Sequence, residues 1–280
     1  MRAEVARCYL LGAGISYRQA RYAHAMEWAR IGLRLIEELG AVADQAHALL
    51  LIGTIYSDQS ETAQAIAAFE QARLRFEQVN DLTGLANTLN NLGVLYLQVG
   101  RWQDTVQSYE RSLELAQSVG DAMAMARTSN NLAVALVGRD QLDRAADLYR
   151  FSGEQFARMG SALGVAVTTY NRGEVLLLQG QPAAALDLFK RGIEAIERIN
   201  ARNFLPEVLR LAAEAAIELG ERQLAYDFAA RSRDLAIELG MGAEIAVAER
   251  VLARIALYQG DFWLRRGSAH ARAGSARSAR

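Results

Sequence analysis

The segment LNNLGVLY at 89–96 returns along the sequence at a fixed spacing. Forty residues later stands SNNLAVAL (129–136), then TYNRGEVL (169–176), LRLAAEAA (209–216) and ERVLARIA (249–256). Forty residues earlier stands LLLIGTIY (49–56), and before it YLLGAGIS (9–16). A small residue holds the centre of every copy: Ala13, Gly53, Gly93, Ala133, Gly173, Ala213 and Ala253. A period of this length means one supersecondary unit stacked on copies of itself, stabilised by its neighbours instead of by a central core.

The punctuation repeats in the same register. Gly40, Asn80, Gly120, Gly160, Asn200 and Gly240 share one slot, filled only by the two residues that tolerate the left-handed conformation ending a helix. Midway between them fall Gly100, Gly180, Gly220 and Gly260, with Ala20, Ser60 and Asp140 in the same phase. Each repeat is therefore read as two helices, A and B, of roughly 16–18 residues, split by a short turn and closed by a C-cap. The repeats start near residues 1, 41, 81, 121, 161, 201 and 241. The only prolines, Pro182 and Pro206, each fall in a first helical turn, where the missing N–H does no harm. The class is all-α.

Charge is balanced, 31 basic against 32 acidic residues, which offers no overall attraction to nucleic acid or to a membrane. No apolar run is long enough to span a bilayer. The opening MRAEVARCYLLGAG carries arginines and a glutamate and reads as an amphipathic helix, not a signal peptide. Cys8 is the single cysteine, so a reducing, cytoplasmic setting is expected, with Cys8 itself a small buried apolar residue.

No motif of catalysis or metal binding emerges. His24, His47 and His270 share no ligand spacing with each other or with Cys8. Gly12-Ala13-Gly14 begins a GxG pattern without the third glycine or a preceding strand. Nucleophile-elbow and Walker sequences are absent. Trp28 and Trp102 are read as packing residues. No enzyme activity, metal or cofactor is expected.

Within repeat two, Leu49, Ile52, Gly53 and Tyr56 lie on helix A, followed by Ala65, Phe69 and Ala72 on helix B. This pattern, L-x2-I-G-x2-Y…A-x3-F-x2-A, resembles the tetratricopeptide repeat signature W-x2-L-G-x2-Y…A-x3-F. Repeat three keeps Leu92, Gly93, Tyr96 and Tyr109, repeat four Leu132, Ala133, Ala145 and Tyr149, and repeat five Gly173, Ala185 and Phe189. The family unit is usually about 34 residues. Forty-residue units are similar to those of kinesin light chains, of Gram-positive peptide-sensing regulators, and of sensor modules in bacterial signalling ATPases and cyclases. HEAT repeats share the period but lack the G-x2-Y…A-x3-F key. Pentatricopeptide RNA readers have shorter repeats and a basic groove that is missing here.

The resemblance implies a right-handed α-solenoid of antiparallel helix pairs over residues 1–264, six full pairs plus one extra A helix. The A helices would line a concave groove. Counted from the central small residue, positions −6, −3, −2, +1 and +5 would face it. Position −2 reads Leu11, Leu51, Asn91, Asn131, Asn171, Leu211 and Val251. Position −3 reads Leu10, Leu50, Asn90, Asn130, Tyr170, Arg210 and Arg250. Asparagine is a poor helix former, yet here it recurs on one stripe. A row of amides, each both donor and acceptor, suits the spaced N–H and C=O groups of an extended peptide. The alternative reading has each asparagine bonding a neighbouring helix and setting the stacking angle.

The expected function is a non-enzymatic module that binds an extended peptide or a partner helix. Its contacts would be Asn87, Asn90, Asn91 and Gln98 in repeat three, and Arg127, Asn130 and Asn131 in repeat four. Tyr170, Asn171 and Glu174 follow in repeat five, and Arg210 in repeat six. The rival reading is a regulatory segment of a larger signalling ATPase, cyclase or transcription regulator.

Repeat seven breaks the pattern after its A helix. Residues 265–280 hold five arginines and no acid, and read as a disordered basic tail. Both ends of the array look cut from a longer one. Val247, Val251, Leu252 and Ile255 are expected to leave an uncapped edge. Either the protein self-associates through it, or Phe262, Trp263 and Leu264 fold back over it.

Overall fold

A computed structural model of the protein describes residues 2–257. Four A helices come first, α1 (Arg2–Arg18), α3 (Val42–Asp58), α5 (Leu82–Gln98) and α7 (Ala122–Val137). They alternate with B helices α2 (Tyr22–Leu39), α4 (Thr62–Val79), α6 (Trp102–Val119) and α8 (Leu142–Arg158). A helices α9 (Ala162–Leu178) and α11 (Leu205–Glu218) then alternate with B helices α10 (Pro182–Arg198) and α12 (Arg222–Glu238). A short 3-10 turn at Arg202–Phe204 precedes α11, and a further A helix, α13, runs from 242 to 257. The described residues are all-α, as the repeat implied. They fall into two compact lobes, divided in sequence between Gln155 and Phe156.

One backbone device makes every junction. Residues 20, 40, 60 and so on to 240 all have positive φ, between 53° and 75°. At each, two bonds of the Schellman pattern close the helix. At the α2 end, for example, Gly40 N–H donates to Glu37 O and Ala41 N–H to Ile36 O. At the α5 end, Gly100 N–H donates to Leu97 O and Arg101 N–H to Tyr96 O. The residue after the left-handed one then accepts the first bond of the next helix, as in Thr105 N–H to Arg101 O. Two residues suffice to reverse the backbone. The sequence pattern assigns the left-handed state to the Gly/Asn slot alone. Ala20, Ser60 and Asp140 adopt it as well, at φ 56°, 61° and 59°, because the turn inside a repeat is as tight as the turn between repeats.

Small residues then let each A helix and its B helix approach. A Cβ on Gly53 would come within 2.6 Å of the Phe69 ring, one on Gly93 within 2.5 Å of Tyr109, and one on Gly173 within 2.8 Å of Phe189. Each B helix adds a small buried residue: Gly32, Ala72, Ser112, Ser152, Gly192 and Ser232. Ser112 Oγ donates to Ala86 O at 2.7 Å, Ser152 to Ala126 O at 2.6 Å, and Ser232 to Pro206 O at 2.6 Å. The three bonds are the same bond, repeated at multiples of the period.

In the first lobe, α1, α3, α5 and α7 touch in succession, whereas α2, α4 and α6 make their main contacts with A helices. The A layer is thus the inner side of that lobe's curvature. Long side chains bridge the wider gaps of the B layer, as Arg144 reaches Glu110 at 2.6 Å.

Several packing expectations need correction. Cys8 is exposed, because α1 buries the stripe through Ala6, Ala13 and Ser16 and Cys8 lies across the helix from it. Trp102 remains 41% exposed although its ring lies against Gly138. Val251 and Ile255 are not edge residues. Both are buried with Ala213, Ala216, Ala225 and Ala229. The outer side of α13 shows Leu257 instead. Phe262, Trp263, Leu264 and the basic segment 265–280 lie outside the described residues.

A left-handed alanine or serine carries a steric cost of about 1–2 kcal/mol that glycine escapes. Ala20→Gly and Ser60→Gly should therefore each raise the urea midpoint, by about 1 kcal/mol of stability. Gly100→Ala should lower it by a similar amount. A second change concerns Ser129, whose buried hydroxyl has no hydrogen-bond partner. Ser129→Ala should raise stability in the same assay, since an unsatisfied buried hydroxyl costs about 1–3 kcal/mol.

Candidate functional face of the A helices

The asparagines of the first lobe form the outer end of a buried polar relay. Ser112 on α6 contacts Thr128 on α7, Oγ to Oγ1 at 3.2 Å. Thr128 donates to Asn90 Oδ1 on α5 at 3.2 Å, and Asn131 Nδ2 donates to the same oxygen at 3.2 Å. Asn90 Nδ2 reaches Asn91 Oδ1, and Asn130 Nδ2 reaches Asn131 Oδ1, both at 3.4 Å. Ser112, Thr128 and Asn90 are buried, while Asn91, Asn130 and Asn131 are half-buried. A buried amide needs partners, and these hydroxyls and amides supply them. The link between neighbouring A helices is diagonal, from position −2 of repeat four to position −3 of repeat three. It is not the straight Asn91-to-Asn131 row that the sequence suggests.

Around this relay lie the accessible members of the site. Asn87 is half-buried and accepts from Arg127 Nη2 at 2.6 Å, while Gln98 is exposed at the end of α5. His47, on the same face one repeat earlier, sits 3.6 Å from Asp81 and edge-on to Phe76.

The second lobe departs further from expectation. Tyr170 is 3% exposed and donates to Glu207 Oε2 at 3.2 Å, and Asn171 is 7% exposed. Both are packed residues, because α9 turns them toward its neighbours. What remains on this lobe's A helices is charge. Arg210 pairs with Glu214 at 2.8 Å, and its Nε is buried without a partner. Glu174 lies beside this pair. Desolvation raises its pKa, the charges of Glu207 and Glu214 raise it further, and Arg210 pulls it back. Burial likewise raises Glu207, opposed by the Tyr170 hydrogen bond and Arg210.

On the B side of the first lobe, clefts of about 530 Å³ and 810 Å³ open between α4 and α6 and between α2 and α4. The first holds a side-chain cluster that the sequence patterns do not single out. Tyr96 donates to Glu70, Arg73 pairs with Glu70 at 2.7 Å and with Glu77 at 2.8 Å, and the Arg101 guanidinium lies 4.1 Å from the centre of the Tyr96 ring. Burial, then the Glu70 hydrogen bond, pushes the Tyr96 pKa up to about 12. The +3 tyrosines of the repeat signature, Tyr56 and Tyr96, are the available sign, since each hydroxyl meets the preceding B helix. The charges of this cluster are neutralised internally. Among the described residues no group of three His, Cys, Asp or Glu is placed to hold a metal, and no helix is long and apolar enough to cross a membrane.

Two measurements separate these roles. Asn90→Ala strips the acceptor from Thr128 and Asn131 and should cost about 1–3 kcal/mol in urea denaturation. Asn91→Ala should be neutral or gain about half a kcal/mol of helix propensity. For Glu174, a raised pKa means that the folded state binds the proton more tightly than the unfolded one. Its ionisation therefore lowers stability as pH rises through the carboxylate range. Glu174→Gln should melt higher than the parent at pH 7, with the difference closing as the pH is lowered through that range.

Family models of the tetratricopeptide repeat match residues 46–72 and 84–150. No curated protein matches in sequence. Solved structures share the fold at low identity. BtubC (BKLC) from P. vanneervenii aligns over 79% of this chain and 90% of its own, at TM-score 0.65 and 18% identity. The apo form of RapI aligns over 90% and 96%, at TM-score 0.69 and 12% identity. A Rap protein in complex with competence and sporulation factor aligns over 90% and 75%, at TM-score 0.62 and 14% identity. With the small-residue key at Gly53 and Phe69 and the strict helix pairing, these matches identify tetratricopeptide repeats over residues 46–72 and 84–150, and the solved structures share the all-α helical-repeat fold.

Proposed function

We propose that this protein is a non-enzymatic interaction module that holds an extended peptide or a partner helix against its A helices. The observation that carries this reading is the state of the polar groups on α5 and α7. Asn91, Asn130 and Arg127 reach the surface, and the Asn131–Asn90 bond beneath them ties the two helices in register. Groups fixed before the partner arrives lose little freedom on binding. Amides supply both donors and acceptors to a peptide backbone. The relative solved with competence and sporulation factor supports capture by this kind of fold. The B-side cleft between α4 and α6 serves the purpose less well, because a ligand there would have to displace ion pairs already formed.

The test is capture of a partner by the parent and two double variants of matched helicity. Asn91→Ala with Arg127→Ala alters the A helices, and Arg73→Ala with Arg101→Ala alters the B-side cleft. The A-side variant should lose its partner while the B-side variant retains it. The reverse pattern would move the binding surface to the outer clefts.

A further inference from the structure

The cleft between α2 and α4 repeats the frame of the α4–α6 cleft with its charges changed. Forty residues before Glu70, Leu74 and Asp104 stand Arg30, Arg34 and Gln64, while the tyrosine is kept, Tyr56 for Tyr96. In the α4–α6 cleft Tyr96 donates to Glu70, and Glu70 and Glu77 hold Arg73. Between α2 and α4 the hydrogen bond runs the other way, with Arg30 Nη2 donating to the Tyr56 hydroxyl at 2.6 Å. A phenol that accepts keeps its own proton to donate, and a guanidinium that gives one bond has further N–H groups left.

Arg30 and Arg34 are both exposed, one turn apart on α2, and both line this cleft of about 810 Å³. Among the described residues neither is paired with a carboxylate. Like charges at that spacing repel one another on a helix, so the pair works against stability in the free protein. On the α4 side the cleft reaches Gln64, in a first turn that holds no acid and whose N-cap residue, Glu61, makes no capping bond through its side chain. The first turn of α6 has Asp104 at that place. Helix-start N–H groups left in this state add to the preference of the arginines for an anion.

Glu27 and Glu61 line the cleft as well, and neither takes an arginine. Carboxylates in that position disfavour a polyanion, and they accept hydrogen bonds from hydroxyl groups. We propose that the α2–α4 cleft binds a small phosphorylated polyol, such as a sugar phosphate. Arg30, Arg34 and the Tyr56 hydroxyl take the phosphate, whose oxygens suit the guanidinium fork. Hydroxyls of the ligand donate to Glu27 and Glu61. The volume falls within the range of about 300–1,000 Å³ found for small-molecule sites. This site is separate from the A-helix surface proposed above, and neither depends on the other.

Isothermal titration calorimetry on the full chain tests the proposal with glucose 6-phosphate, inorganic phosphate and glucose. Glucose 6-phosphate should bind more tightly than inorganic phosphate, and glucose should give no measurable binding. Arg30→Gln with Arg34→Gln should weaken glucose 6-phosphate at least about tenfold, the least that the loss of a charged hydrogen bond entails. The same variant should melt no lower than the parent, since a repulsive pair is removed. Glu27→Gln with Glu61→Gln should narrow the advantage of glucose 6-phosphate over inorganic phosphate, and Arg111→Gln in the α4–α6 cleft should leave it unchanged. Failure of glucose 6-phosphate to bind, or binding that survives the double arginine change, overturns the proposal. So does equal affinity for inorganic phosphate, which makes the cleft a bare anion site, or tighter binding of a phosphoserine hexapeptide, which assigns it to a phosphoprotein.

Discussion

A left-handed residue every twenty positions is the constraint on which the rest depends. It ends one helix and hands its successor the first acceptor, so a reversal needs only two residues. With so short a junction, consecutive helices must lie antiparallel and side by side. Helix length is then set by the interval between left-handed residues, and each repeat enters its lobe in the same register. Three of these residues are not glycine or asparagine, so the geometry is imposed on side chains that resist it. Packing energy along the helices must exceed that local cost.

Close approach of A and B helices follows from the small residues, and it has a chemical consequence. Where the B-helix residue is serine, its hydroxyl caps an A-helix carbonyl, an extra bond beyond the helix's own ladder. In repeats three and four this bond continues through Thr128 to Asn90 and outward to the surface amides. The asparagines therefore occupy two kinds of place that the one-dimensional pattern does not separate. Asn90 is the buried acceptor on which the relay converges, a strut between helices. Asn91 and Asn130 are its accessible ends, and the proposed binding surface uses them.

Charge is distributed by the same logic of partners present or missing. On the B side, Glu70, Arg73, Glu77 and Arg101 complete one another, and their cleft is electrostatically closed. On the A side, Arg7 meets Asp44 and His47 meets Asp81 at the next repeat's start, whereas Arg127 donates to the neutral Asn87 and feels the charge of Asp121. Glu174 is its converse in the second lobe, a carboxylate raised in pKa by burial and like charges. Unneutralised groups on an accessible face are costly to stability and informative about partners.

The sequence by itself determined the helix pairs, their boundaries and the small-residue keys, because left-handed caps and close contacts admit very few residue types. Gly53 and Phe69, or Gly40 and Asn80, could hardly mean anything else at that spacing. The all-α repeat class and the polar stripe on α5 and α7 were legible for the same reason. Which side chain on that stripe meets water was decided only in three dimensions. Neighbouring helices cover position −3 at Asn90 and both Tyr170 and Asn171, while leaving Asn91 and Arg127 reachable. Cys8, Val251 and Ile255 changed sides for a like reason, since a fixed rotation of about 100° per residue makes burial depend on which helix stands next door. The diagonal bond from Asn131 to Asn90 and the bond from Arg127 to Asn87 depend on distances between residues about one repeat apart, and those exist only once the repeats have stacked.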